Sequence, residues 1–194
     1  MRPHSLSTAL ITENAFQLVA WSAGAKEAQG HFVDSDDPGA WGATKPNYVY
    51  NLQTTISELL VVTATKIRIL QDSLGQLIFD PGEMAKIDAE VSERHPSAHL
   101  TSSKANLSIR ETCNKIIHAT SVAFVMRNAD GKLEEFSYWS EDLAGFWFSG
   151  EVRLKGENKG KKWEVLLNPA KFGVCIVDYI NELESDHGIH RAWE

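Results

Sequence analysis

The 194-residue chain predicts an α+β fold, a helical bundle with a small antiparallel β-sheet inserted before its last helix. Three observations carry this. Up to residue 118 the apolar residues recur every three or four positions, the period of a helix with one buried face. After Thr120 the pattern changes to short β-prone runs separated by turn-forming residues. Asn168-Pro169 then opens a last helical pattern, since proline is well suited to a first helical position. The length lies within the single-domain range, so residues 1–194 are read as one domain with 120–167 as a β-hairpin insertion. A hydrophobic content of 43% is ample for its core.

The elements follow in order. Leu10, Ile11, Phe16, Leu18, Val19 and Trp21 predict a first helix from about Ser7 to Ala28, weakened at its end by Gly24. Gly30 to Pro46, with Asp34-Ser35-Asp36-Asp37-Pro38-Gly39 inside it, is turn-forming and reads as a loop. Val49, Leu52, Ile56, Leu59, Leu60, Val62, Ile67 and Leu70 predict a long helix from about Asn47 to Ser73, stopped by Gly75. A shorter helix runs from Pro81 to about Glu93 and is interrupted by His95-Pro96-Ser97-Ala98-His99. Ser102 or Ser103 is placed to cap the next helix, which continues to His118. Beyond it, Val122 to Met126 and Leu133 to Trp139 flank the turn Asn128-Ala129-Asp130-Gly131-Lys132. Phe146 to Leu154 and Lys162 to Leu167 flank Gly156-Glu157-Asn158-Lys159-Gly160, and the last helix ends near Glu184.

Charge and composition narrow the chemistry. A net charge of −7 argues against a surface that grips nucleic acid everywhere, because phosphate requires local positive potential. The charge is uneven, however: between Glu151 and Trp163, Arg153, Lys155, Lys159, Lys161 and Lys162 face only two glutamates, with Trp147 and Trp163 flanking. Such a hairpin can hold RNA by charge and stacking, with Arg153, Lys155, Lys159, Lys161, Lys162 and Trp163 as the contacting residues. It can equally be a solvated turn whose lysines oppose edge-to-edge aggregation. Cys113 and Cys175 sit far apart inside apolar patterns and read as small buried hydrophobes, without a disulfide framework. No metal is expected: His187 and His190 lack a third ligand, and Asp34, Asp36 and Asp37 read as a solvated acidic turn. No cofactor is expected either, in the absence of a phosphate-cradling glycine loop or a nucleophile elbow. No apolar run approaches the roughly 20 residues that span a bilayer, and the first residues lead into no signal-peptide core. A cytoplasmic chain with no membrane partner is the expectation.

The residues with chemistry converge in Ile109-Arg110-Glu111-Thr112-Cys113-Asn114-Lys115-Ile116-Ile117-His118. On a helix Arg110, Asn114 and His118 form one polar stripe, and Ile109, Cys113, Ile116 and Ile117 form the face it would bury. A histidine with a pKa of about 6.5 suits proton transfer, and an arginine's planar fork suits phosphate. Glu58, on the long helix, is a candidate to orient Arg110 if the two helices pack. His118 also lies in the last turn, where a histidine commonly caps free carbonyls, and a polar stripe is often only solvated.

The tail of the stripe, Asn114-Lys115-Ile116-Ile117-His118, resembles the end of the Arg-Asn-x-x-x-His signature of HEPN domains, helical modules many of which are metal-independent ribonucleases acting as dimers. The resemblance implies that His118 is the catalytic histidine and Asn114 its companion, and that two motifs meet across a homodimer. It departs at Cys113, which stands where the family has arginine; either Arg110, one turn earlier, supplies the guanidinium or the site is inactive. Three readings follow. The chain is a HEPN-like RNA-binding endoribonuclease of toxin or antiviral-defence type, a catalytically silent HEPN-like module that binds RNA or a protein partner, or an unrelated α+β protein mediating protein–protein interaction.

Overall fold

A computed structural model of the chain describes residues 7–32, 45–77, 81–136 and 145–185. The acidic turn at Asp34, Asp36 and Asp37 and the pair His187 and His190 lie outside the described residues. Six helices and five strands occur in the order α1 (Thr8–Ala23), α2 (Ala25–Gln29), α3 (Lys45–Leu77), α4 (Pro81–Arg94), β1 (Ala98–Leu100), α5 (Ile109–Ile117), β2 (Ser121–Asn128), β3 (Leu133–Phe136), β4 (Phe146–Asn158), β5 (Lys161–Leu167) and α6 (Pro169–Ser185). The fold is α+β.

α3 spans 33 residues, about 50 Å at 1.5 Å per residue, and is the spine of the helical layer. Its buried stripe, Leu52, Ile56, Leu60, Ala64, Ile67, Leu70 and Leu74, advances by three or four residues per step. α1 packs beside it through Ile11, Ala15 and Leu18, and α6 packs on α1 and α4 and adds Phe172, Cys175, Ile176, Tyr179, Ile180 and Leu183 to the same core. The α1–α6 approach depends on Gly173: a Cβ there would lie 2.5 Å from the Ala15 carbonyl oxygen. α4 is tied to α6 by Arg94, paired with Asp178 at 3.4 Å, and by His95, whose Nε2 lies 3.1 Å from the same carboxylate. Among the described residues no helix is long and apolar enough to cross a membrane.

The five strands form one antiparallel sheet in the order β1-β5-β4-β2-β3. One face gives Phe124, Met126, Phe148, Val152, Leu154, Val165 and Leu167 to the core shared with the helices. The sheet is not confined to 120–167. β1, from the segment expected only to interrupt the helices, pairs Ala98 with Leu167 and Leu100 with Val165. The expected first helix is divided at Gly24, and the expected helix start at Ser102 or Ser103 is a turn instead. In that turn Lys104 takes a left-handed backbone (φ 59°), its N–H bonds to the Leu100 carbonyl, and the chain returns so that the Leu107 N–H reaches the Ala98 carbonyl. The expected five-residue turn of the last hairpin is tighter: Lys159 (φ 50°) and Gly160 (φ 77°) form a two-residue turn with both φ positive, and Gly156 belongs to β4.

Two measurements test this packing. Gly173→Ala should lower stability by about 1–3 kcal/mol in urea denaturation, because the two helices must separate to admit the methyl group; an unchanged midpoint would contradict the close approach. Burial pushes the Cys175 thiol up to about 12 and raises the Cys113 thiol and the Tyr179 hydroxyl as well. These groups stay neutral in the folded chain while their unfolded counterparts ionise from about pH 8.5 upward, so protons bind the folded state more tightly there. Stability is therefore full below about pH 8.5 and declines as pH rises from there toward 12, measurable as a falling thermal midpoint. Both thiols should react with a chromogenic disulfide only when the chain unfolds.

Candidate functional site

α5 is nine residues long, too short to be stable alone, and its beginning is fixed from outside the helix. Asp88 on α4, 6% exposed, accepts the Ile109 N–H at 2.6 Å, the Arg110 N–H at 2.9 Å and the Ser92 hydroxyl at 3.1 Å. Ser108 accepts the Glu111 N–H at 3.2 Å while Glu111 accepts the Ser108 N–H at 3.3 Å, a reciprocal cap. The N–H groups of 108, 109, 110 and 111 are thereby all satisfied before the first helical bond, Thr112 N–H to the Ser108 carbonyl. The carboxylate of Asp88 also faces the positive end of the helix dipole.

This start sets which side chains face the core. Ile109, Thr112, Cys113 and Ile116 are buried. Ile117, expected on the buried face, is 37% exposed, and Thr112 takes the place it was assigned. The reason is angular: counted from Ile109, position 117 lies about 80° round the helix, at the edge of the stripe. Cys113 is fully buried, so the position at which the HEPN signature carries arginine points into the core.

The expected stripe is shared between two cavities. Arg110 turns to α3, where its guanidinium donates to Asp72 Oδ1 at 2.9 Å, and lines a cavity of about 380 Å³ with Gln71, Asp72, Asp88 and Tyr179. Asp72 is also held by Arg68 at 3.2 Å, and Gln71 donates to the Tyr179 hydroxyl at 3.4 Å. Glu58 is not the partner; it lies 14 residues before Asp72, about 21 Å along the same helix. Asn114 and His118 instead line a cleft of about 440 Å³ between the end of α5 and the β4–β5 hairpin, together with Lys115, Glu157, Asn158 and Trp163. His118 is the C-cap residue, its N–H on the Asn114 carbonyl at 3.0 Å and its ring exposed.

The hairpin register explains why one of the expected RNA-binding residues reaches that cleft and the others do not. Strand alternation puts Arg153 and Lys155 on one sheet face and Trp163 on the other. On the outer face Arg153 pairs with Glu135 at 3.0 Å and Glu164 at 2.8 Å, and Lys155 reaches Glu135 at 3.3 Å. Their charge is largely balanced in place. Lys159, Lys161 and Lys162 are exposed around the tip. Trp163 crosses Gly156, where any Cβ would collide with the indole, and packs on the core with its outer part in the cleft. Lys115 Nζ sits 4.3 Å from the centre of that ring. Trp147 lies nine residues of strand away from Gly156, about 30 Å, and belongs to a different surface.

The cleft thus holds an imidazole, an ammonium, two side-chain amides, an indole and the Glu157 carboxylate; the first four kinds of group can donate to phosphate, exchange a proton and offer an aromatic face to a base, and the carboxylate opposes an anion on its side. Lys115 was not anticipated as a site residue, although its place three residues before His118 puts both at one helix end. Among the described residues no cluster of three or more histidine, cysteine, aspartate or glutamate side chains is placed to hold a metal ion.

Asp88→Ala should destabilise the chain by about 1–3 kcal/mol, since it leaves the part-buried Arg110 N–H without its acceptor and the Ile109 N–H with only the Ser92 hydroxyl at 3.0 Å. Amide exchange should then accelerate at 109–112 before the rest of the core, and uniform protection across α5 in the variant would refute the role assigned to Asp88.

No family model matches the chain, and neither a curated protein nor a solved structure does.

Proposed function

We propose that the chain is a HEPN-like RNA-binding protein that takes single-stranded RNA in the cleft between the last turn of α5 and the β4–β5 hairpin. One observation carries the reading: Asn114 and His118 from the motif and Trp163 from the basic hairpin line the same cavity, with Lys115 above the indole. A phosphate drawn to Lys115 would leave the ring face to a base, and base stacking is worth about 1–3 kcal/mol. Lys159, Lys161 and Lys162 at the tip extend the positive potential along a strand of RNA.

In the enzymatic form of this reading the chain is a metal-independent endoribonuclease of toxin or defence type. The RNA 2′-hydroxyl attacks the adjacent phosphorus and the bond to the 5′-oxygen of the next nucleotide breaks, leaving a 2′,3′-cyclic phosphate and a free 5′-hydroxyl; His118 takes the 2′-hydroxyl proton and returns it to the departing 5′-oxygen, Asn114 positions the phosphate and Lys115 offsets its growing charge. By the family analogy a homodimer would bring two α5 helices together. Arg110, paired with Asp72 in the neighbouring cavity, is not available to the cleft without breaking that pair. That pairing and the burial of Cys113 favour a second reading, a catalytically silent HEPN-like module that binds RNA or a protein partner.

The test is a set of binding isotherms with single-stranded RNA at several salt concentrations, run beside a cleavage assay in EDTA. Wild type should bind at low salt, and Lys115→Ala and Trp163→Ala should each weaken affinity about tenfold. His118→Ala should leave affinity within about twofold while abolishing any cleavage. Binding without cleavage by wild type selects the silent module. No binding by wild type at low salt overturns the RNA reading altogether.

A further inference from the structure

At the opposite end of β4 from the α5 cleft the sheet carries an irregularity. β2 and β4 are in register from Ser121↔Lys155 to Val125↔Glu151, and the pairing resumes at Met126↔Phe148. Ser149 and Gly150 are therefore extra residues on β4, and Gly150 takes φ 87°. Such bulges re-aim side chains and break the ladder locally. Here the bulge faces the start of α6 and the end of α1 across a cavity of about 570 Å³, within the size range of small-ligand sites.

Four kinds of group meet in this cavity. Ser22, 6% exposed on α1, lines it, and its hydroxyl has no hydrogen-bond partner. A serine inside a helix usually returns its proton to the carbonyl one turn back; Ser22 does not. The Ser149 hydroxyl, delivered by the bulge, is likewise buried and without a partner. Two cations line the same space: Arg127, paired with no described carboxylate, and Lys26, 4.8 Å from the Trp147 ring centre. Asn168 and Ala170 bring the N-terminus of the 17-residue helix α6, whose first residue, Pro169, has no N–H, so that Ala170 offers the first open donor. Asn168 spends its carbonyl oxygen on the Lys171 N–H and keeps its amide nitrogen beside Gly150. Among the described residues, Glu27 is the one acidic residue on the wall.

Buried hydroxyls without partners cost free energy, and two of them beside two cations and the positive end of a helix make a set of donors lacking an acceptor. We propose that this cavity is a phosphate-monoester site, in which Arg127, Lys26, the Ser22 and Ser149 hydroxyls and the Ala170 N–H receive the phosphate oxygens. The volume exceeds what an inorganic phosphate fills, which leaves room for the organic part of the ester beside Trp147. The site is separate from the α5 cleft and does not rest on the RNA reading.

The experiment is calorimetric titration of the full chain with inorganic phosphate and with adenosine 5′-monophosphate, accompanied by thermal melts. Wild type should bind one ligand per chain. Equal affinity for the two would assign recognition to the phosphate alone, and tighter binding of the nucleotide would add the organic part; both outcomes support the site. Arg127→Gln should weaken binding about tenfold or more. Ser22→Ala should raise the melting temperature of the free protein, since it removes an unsatisfied buried hydroxyl, while weakening binding. Absence of saturable binding by wild type for both ligands would overturn the proposal, and so would wild-type affinity in both variants.

Discussion

The carboxylate of Asp88 is the constraint on which the arrangement around α5 depends. A nine-residue helix has as many unsatisfied end groups as internal bonds, so its existence and its phase are decided by whatever caps it. Asp88, on a different helix and backed by Ser92, accepts the first two N–H groups and does so from a buried position. It fixes both where the helix begins and how it is rotated. Rotation by a single residue, 100°, would in one direction bring Asn114 to the buried position that Cys113 holds and in the other carry Cys113 out to the position that Asn114 holds. The capping contact and the composition of the cleft at the other end of the helix are thus one structural fact seen at two ends.

The sheet imposes the second constraint. Alternation along β4 and β5 sorts the basic hairpin into two populations, and a slip of one residue would exchange them. Arg153 and Lys155 lie among Glu135 and Glu164, where mutual pairing on a half-exposed face gives modest stability and removes most of their reach toward a polyanion. Trp163 crosses Gly156 to the core side, so the aromatic group that the sequence places among lysines is delivered to the helix end instead. A Cβ at position 156 would strike the indole, which ties the placement of Trp163 to Gly156.

Much of the fold was legible from periodicity because its long elements bury continuous stripes. α3, α4 and α6 and both hairpins fall close to their expected spans. What escaped was set by contacts between residues remote in sequence or by parity. β1 is three residues long and exists only because β5, more than sixty residues later, pairs with it. The start of α5 was legible in principle: Ser108-Ile109-Arg110-Glu111 is a capping-box sequence, stronger than the isolated serines at 102 and 103. Asn114 and His118 share a cleft, as their spacing suggested, whereas Arg110 is drawn off by Asp72, a residue on another helix that no local pattern connects to it. The bulge at Ser149-Gly150 has no sequence signal beyond a glycine in a strand.

These placements show how a net charge of −7 is compatible with the anion binding proposed for the two cavities. The outer sheet face spends its cations on carboxylates, so the long-range field there is weak. Positive groups without described carboxylate partners are left at the two ends of β4: Lys115 with the hairpin lysines at one, Arg127 with Lys26 at the other. Each lies beside a partly exposed tryptophan, and the two groups hold four and two positive charges. Binding built this way releases few counterions, so its selectivity must come from shape, stacking and hydrogen bonds to fixed donors more than from bulk attraction. On the proposed readings, an acidic chain of this kind would keep polyanions off most of its surface and admit anions only where an indole and a small set of donors are already in position.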